Sequence, residues 1–192
     1  MNIGVLALQG DFAEHIHIIS SLGAQSVEVR LPQQLDELDG LIIPGGESTT
    51  IGKLAHAYGL IDPLREFGRH KAVWGTCAGA IFLSKDVHMH QYLLGLMNIT
   101  IERNAFGRQV ASFETDLDVP VLSKVDPHGG PFHAIFIRAP LIESVGKDAL
   151  VLATLPDGRI VAVQQKKLLA TSFHPELTSD DRFHRYFLTL AA

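Results

Sequence analysis

Residues 72–81, Ala-Val-Trp-Gly-Thr-Cys-Ala-Gly-Ala-Ile, run a β-rich apolar stretch into Gly75-Thr76-Cys77-Ala78-Gly79 and leave it with helical character. Few folds accommodate such a segment. A buried strand must turn sharply into a helix while one side chain is held up in a strained pose. Gly75 and Gly79 suit positions where a Cβ would strike the neighbouring strand or helix. Cys77 then stands at a helix start, where free N–H groups and the helix dipole favour a thiolate. The next N–H, on Ala78, can face a developing oxyanion. A lone cysteine can also be a small buried hydrophobe, so the reading depends on partners elsewhere in the chain.

The surrounding pattern is α/β. Residues 2–8 form an apolar run suited to a central parallel strand. Phe12, Ile16, Ile19 and Leu22 then recur at helical spacing, with Glu14, His15 and His17 read as lying off that stripe. Further strands are predicted at 26–31 and 40–43, a helical turn at 33–38, and helices at 50–58 and 63–70. Apolar strands alternating with amphipathic helices imply a three-layer fold: a mostly parallel sheet with right-handed crossovers, flanked by helices. Later segments read as strands at 94–103, 110–117 and 132–138. A hairpin joins 150–155 to 159–164 across Pro156-Asp157-Gly158. These antiparallel pieces are expected as an edge insertion in one domain spanning 1–192.

Two further segments carry chemistry. The strand at 40–43 ends in Pro44-Gly45-Gly46-Glu47-Ser48-Thr49-Thr50. Ligands of open α/β sheets bind at such carboxyl ends, and paired glycines let a backbone N–H turn toward a negative oxygen. The phosphate-loop pattern fails here, because Glu47 and Leu54 stand where Gly and Ser or Thr are needed. Ser48 or Thr49 is expected to cap the next helix. The last strand, 168–173, delivers His174-Pro175-Glu176. In an extended segment residues two apart share a side, so Glu176 could hold the His174 ring while its other nitrogen addresses Cys77. Arg103 and Arg108 flank a turn at 104–109, where a guanidinium suits a carboxylate ligand. His88 and His90 lie in a polar excursion, 85–92, with nothing nearby to complete a metal site.

With these motifs assembled, the chain resembles class I, triad-type glutamine amidotransferase domains, and more narrowly the glutaminase subunits of pyridoxal 5′-phosphate synthase. The resemblance runs from Gly4-Val5-Leu6-Ala7-Leu8-Gln9-Gly10 with Glu14-His15, through the loop at 44–50 and the elbow. It continues through Glu102-Arg103-Asn104-Ala105-Phe106-Gly107-Arg108-Gln109, Phe136-Ile137-Arg138-Ala139-Pro140 and Ser172-Phe173-His174-Pro175-Glu176-Leu177-Thr178. It implies Cys77 as nucleophile, His174 as base and Glu176 as its orienting acid. Glutamine contacts are implied from Gly46, Glu47, Ser48, Arg103, Ile137 and Arg138, with Gly46 and Ala78 as the oxyanion hole. It also implies a partner, the TIM-barrel synthase subunit of a hetero-oligomeric complex, with L-glutamine as substrate and no metal or cofactor. Asp11 sits where that partner could touch it.

Composition narrows the alternatives. A net charge of −5 without a long basic run gives little support to nucleic-acid binding. No apolar stretch is long enough to span a bilayer. One cysteine rules out an intramolecular disulfide framework and suits a reducing cytoplasm. A different ammonia-using synthase would keep all the chemistry. A related elbow-cysteine peptidase or chaperone would place His after the nucleophile, where Ala78 stands.

Overall fold

The computed structural model describes residues 1–103 and 112–192. Five parallel strands form its centre: β1 (Asn2–Leu6), β2 (Gln25–Val29), β3 (Gly40–Ile43), β4 (Ala72–Thr76) and β12 (Leu168–Thr171), in the order β2-β1-β3-β4-β12. The helices between them are α1 (Phe12–Ser21), α2 (Ser48–Ala57), α3 (Ile61–His70) and α4 (Ala78–Leu83). α5 (Arg182–Ala191) closes the chain. The expected helical turn at 33–38 is a short 3-10 turn, Pro32–Leu35.

Side chains along β1, β3 and β4 alternate between two apolar layers, as a sheet covered on both faces requires. Ile3, Val5, Ile42 and Trp74 pack on the face that holds Phe173, Phe183 and Phe187. Leu6, Leu41, Ile43 and Val73 pack on the opposite face with Ile51, Leu64 and Phe82.

The antiparallel part is more than an edge ornament. Beyond β12 the same sheet continues through β11 (Ile160–Gln165), β9 (Leu141–Val145), β6 (Met97–Glu102) and β5 (Ser84–Asp86). β10 (Leu150–Thr154) pairs with β11 as the expected hairpin. β7 (Ser112–Leu117) and β8 (Phe132–Ile137) form a separate two-stranded ribbon. The predicted turn at 104–109, with Arg108, and the first residues of the strand placed at 110–117 lie outside the described residues.

Strand order brings the loaded loops together. It reverses direction at β1, so the loops leaving β1 and β3 emerge side by side at the carboxyl edge. β4 lies between β3 and β12, with Ile43 opposite Gly75 and Thr171 opposite Thr76. The glycine loop, the elbow and the His-Pro-Glu segment therefore leave adjacent strands at one level.

The elbow is possible only with glycine at both ends. A Cβ on Gly79 would fall on the Ile43 carbonyl oxygen, and one on Gly75 would fall on the Gly79 carbonyl and lie 2.6 Å from the Ala80 nitrogen. These obstacles are backbone, which cannot swing aside. Gly79→Ala should lower unfolding free energy by about 1–3 kcal/mol. Gly130→Ala, whose Cβ would meet nothing within 4 Å, should stay within about 0.5 kcal/mol of wild type. Equal denaturant midpoints for the two variants would contradict the close approach.

Candidate active site

β4 carries the chain to Thr76, and α4 starts at Ala78, so Cys77 takes the whole turn. Its φ of 47° lies in the left-handed region that non-glycine residues rarely adopt. The strain is held in place from both sides. The Cys77 N–H donates to the Thr171 carbonyl at 2.8 Å, and its own carbonyl accepts from the Ile81 N–H at 3.3 Å. Cys77 is buried, with 7% of its surface exposed.

His174 and Glu176 follow β12. His174 Nδ1 lies 2.7 Å from Glu176 Oε1, and the ring also hydrogen-bonds the Cys77 side chain. The structure thus brings the three residues together, though by a different backbone route. The segment is not extended: Pro175–Leu177 is a 3-10 turn with His174 as its N-cap. Proline at the first position of the turn fixes φ there and removes a donor that would be orphaned anyway. The turn folds Glu176 back under the ring. The His174 N–H donates to the Ile135 carbonyl at 2.8 Å, which ties the histidine to β8.

Burial alone would lower the pKa of His174. Hydrogen bonds to Cys77 and Glu176, with the negative charge of both, more than offset it and hold the imidazole at about 10. Burial raises Glu176, and the bond to His174 works against that rise. His174 is therefore an imidazolium at neutral pH. Because its pKa is raised above the unfolded value, the stability it contributes is full below about pH 6.5 and lost as pH rises through about 10.

The glycine loop after β3 is clamped by the loop after β1. The Asp11 N–H donates to the Gly45 carbonyl at 3.1 Å, and the Glu47 N–H donates to Gln9 Oε1 at 2.6 Å. Gly10, at φ 101°, has no room for a side chain, since its Cβ would fall on the Gly45 carbonyl. A Cβ on Gly45 would lie 2.5 Å from His174 Cε1. Loop and imidazole ring are thus in direct contact. Asp11 Oδ2 sits 3.6 Å from His174 Nδ1, with its carboxyl raised mainly by burial. Among the described residues, Asp11, His174 and Glu176 are the one group of ligand-type side chains close enough to share a metal ion. His88 is engaged elsewhere, 2.6 Å from Glu143.

A cavity of about 280 Å³ opens above Cys77, lined by Gly46, Glu47, Ser48, Ala78, Arg103 and Arg138 among others. Of the implied glutamine contacts, only Ile137 is not part of this lining; it ends β8 with its side chain exposed. Arg103 pairs with Glu47 at 2.9 Å and reaches Gln91 Oε1 at 3.3 Å. Arg138 adopts φ 46°. The expected cap at Ser48 or Thr49 is instead Glu47, whose carboxylate accepts from the Thr50 N–H at 3.0 Å. Its longer side chain reaches the free N–H groups and Arg103 at once. Burial would raise the Glu47 carboxyl, but bonds from Thr49 and Thr50 bring it down to about 2. A larger cleft of about 430 Å³, lined by Thr49, Lys53, His90, Gln91 and Tyr92, lies next to it. The smaller of the two is the one that contains Cys77.

One histidine breaks the sequence expectation, and a second that the sequence reading did not single out joins it. His15 is fully buried, although the apolar stripe of α1 places it to one side, and His184 on α5 is fully buried too. The signal was present. His15 is three residues after Phe12 and four before Ile19, and His184 is three before Phe187, which are same-face spacings on a helix.

The family described as the SNO glutamine amidotransferase family matches residues 5–191. The pyridoxal 5′-phosphate synthase subunit PdxT of Dehalococcoides mccartyi is 56% identical, over 100% of this chain and 97% of its own length. The protein of the same name from Herpetosiphon aurantiacus is 55% identical, over 99% of this chain and 100% of its own. A crystal structure described as a glutamine amidotransferase superposes with TM-score 0.90 at 51% identity, covering 98% of each chain. PurLQS from Thermotoga maritima shares the fold, with TM-score 0.71 at 16% identity over 100% of this chain and 98% of that one.

The electrostatics yield a direct test. Nuclear magnetic resonance of the labelled histidines should show His174 untitrated from neutral pH well into the alkaline range, with its midpoint near 10. Cys77→Ala removes the first of the two bonds that raise it, so the midpoint should fall. An unchanged midpoint in that variant would show that Cys77 does not hold the proton on the ring.

Proposed function

The chain belongs to the SNO glutamine amidotransferase family, and on that premise we propose that it is the glutaminase subunit of a pyridoxal 5′-phosphate synthase. It hydrolyses L-glutamine to L-glutamate and passes the ammonia to a synthase subunit. The observation that carries this reading is Cys77 in a cavity that also presents Arg103 and Arg138, with His174 bonded to it and to Glu176.

In this mechanism the guanidinium forks of Arg103 and Arg138 orient the charged end of glutamine, with Glu47, Ser48 and Ile137 completing the contacts. The Cys77 sulfur attacks the side-chain amide carbon, and the carbonyl electrons move to oxygen. The N–H groups of Gly46 and Ala78 stabilise that oxyanion, each worth about 2.7–4 kcal/mol. His174, already protonated, gives its proton to the departing nitrogen; the C–N bond breaks and a thioester remains. Neutral His174 then takes a proton from water, whose oxygen attacks the thioester. The C–S bond breaks, glutamate leaves, and His174 keeps the proton that restores the starting pair. Glu176 holds the ring in register throughout.

The clamp supports control by the partner, a TIM-barrel synthase subunit in a hetero-oligomeric complex. In a trans peptide the carbonyl and N–H point opposite ways. The bond from Asp11 to the Gly45 carbonyl therefore fixes where the Gly46 N–H points. Turning that peptide costs one bond and little steric strain, because both flanking residues are glycine. A partner docking on residues 9–11 can shift this balance. No helix among the described residues is long and apolar enough to cross a membrane. A catalytic thiol with no second cysteine suits work in the reducing cytoplasm.

Ammonia release from glutamine should be slow for the isolated chain and rise when the synthase subunit is added. Equal rates would eliminate control through the clamp. A Cys77→Ala complex should make pyridoxal phosphate from ammonium salts but not from glutamine; failure with ammonium, on an intact synthase, would exclude a purely nitrogen-releasing role for Cys77. Arg103→Lys should raise KM more than it lowers kcat. Unchanged steady-state constants would remove Arg103 from glutamine recognition.

A further inference from the structure

Glu176 has two carboxylate oxygens, and the triad uses one. Oε1 takes the His174 bond. Oε2 is buried without a hydrogen-bond partner, a costly condition for a carboxylate. What faces it is His15 Nε2 at 3.4 Å. On the other side of the same ring, His15 Nδ1 lies 2.9 Å from His184 Nε2. We propose that His15, backed by His184, is a positioning residue of the reaction: it donates to the second oxygen of Glu176 and so fixes the plane in which His174 works. The inference rests on the glutaminase reading of the site.

Proton bookkeeping settles the direction of every bond. An ionised carboxylate only accepts, so His15 Nε2 must carry the ring proton. Thr76 Oγ1, 3.4 Å from the same nitrogen, can share that donor. A neutral His15 then presents a bare Nδ1, which accepts from His184 Nε2–H. His184 Nδ1 is left bare, and it is indeed buried without a partner. The opposite tautomers would set the lone pairs of His15 Nε2 against those of Glu176. Neutrality of both rings follows from their surroundings. Burial drives His15 well below its ordinary pKa, helped by His184 and His174, and burial brings His184 to about 3. The groups facing His15 are Glu176, His174, His184, Thr76 and the Trp74 ring, whose centroid is 5.7 Å away edge-on. Of these, His174 alone is a cation at neutral pH, and it is committed to Oε1.

The mechanical consequence is specific. With one oxygen held, a carboxylate can rotate about its side chain and carry the histidine with it. With both held, by groups on α1 and at the end of β12, it cannot. Contacts of this type are long in the free enzyme and tighten as the substrate complex forms. Outer residues that orient a catalytic ligand typically change activity by about 10–100-fold when removed.

The test has two arms. In the whole protein, ring-nitrogen shifts should show His15 and His184 neutral, each protonated on Nε2 alone; a proton on His15 Nδ1 would overturn the proposal. In the complex with the synthase subunit, His15→Ala should lower kcat for glutamine by about 10–100-fold with KM within about twofold. His15→Gln, whose amide can donate near the Nε2 position, should recover much of that loss. In a Glu176→Ala background His15→Ala should cost nothing more, since the two act as one unit. The same loss in both backgrounds, or no rescue by glutamine, would make His15 a packing residue and sink the idea. A wild-type complex that releases no ammonia would defeat the glutaminase reading instead, and the tautomers would still decide the network.

Discussion

The close approach of β3, β4 and the start of α4 is the constraint on which the rest depends. Gly79 lies against the Ile43 carbonyl and Gly75 against the Gly79 peptide, so the helix begins almost on top of the sheet. That proximity leaves one residue, Cys77, to make the entire turn at positive φ. It also sets the level of Cys77, since β4 is flanked by the two strands whose exits carry the glycine loop and His174. Any spacing wide enough for two methyl groups would lift Cys77 away from both.

Electrostatics then works on a site already fixed by packing. His174 stays protonated in a buried place because its interactions with Cys77 and Glu176 outweigh the loss of water. Glu47 stays ionised because it accepts the hydrogen bonds of Thr49 and Thr50 at the start of α2, and it also pairs with Arg103. The same carboxylate thus couples the substrate cavity to the start of α2. Behind the triad the arrangement is reversed. Among the described residues the anion that faces His15 is Glu176, and burial keeps both His15 and His184 uncharged. A charged front and a neutral back give Glu176 one cation to stabilise and one neutral donor to hold it.

The clamp between residues 9–11 and the glycine loop shows how topology creates a control point. Gln9 and Glu47 are 38 positions apart in sequence, and neither lies within a regular element. They meet because β1 and β3 are neighbours. A glycine on each side lets backbone bond backbone with no side chain between.

What the sequence alone determined was local. The elbow was legible because glycine at two positions, an apolar strand before and a helix after leave few alternatives. Most of the parallel strands were legible from their apolar runs, and strand β3 was placed residue for residue. His174 and Glu176 were legible as a pair, though the sequence pattern favoured an extended link and the structure makes a 3-10 turn, because proline stiffens either geometry. Tertiary structure alone decided which polar residues are buried. His15 reads as polar on a helix that is only partly apolar, and nothing local says that a second histidine, 169 positions away, will cover it. Helix spacing gives the face of a residue, but burial depends on what packs over that face. Packing is set by strand order and crossovers, which join positions that no local pattern relates.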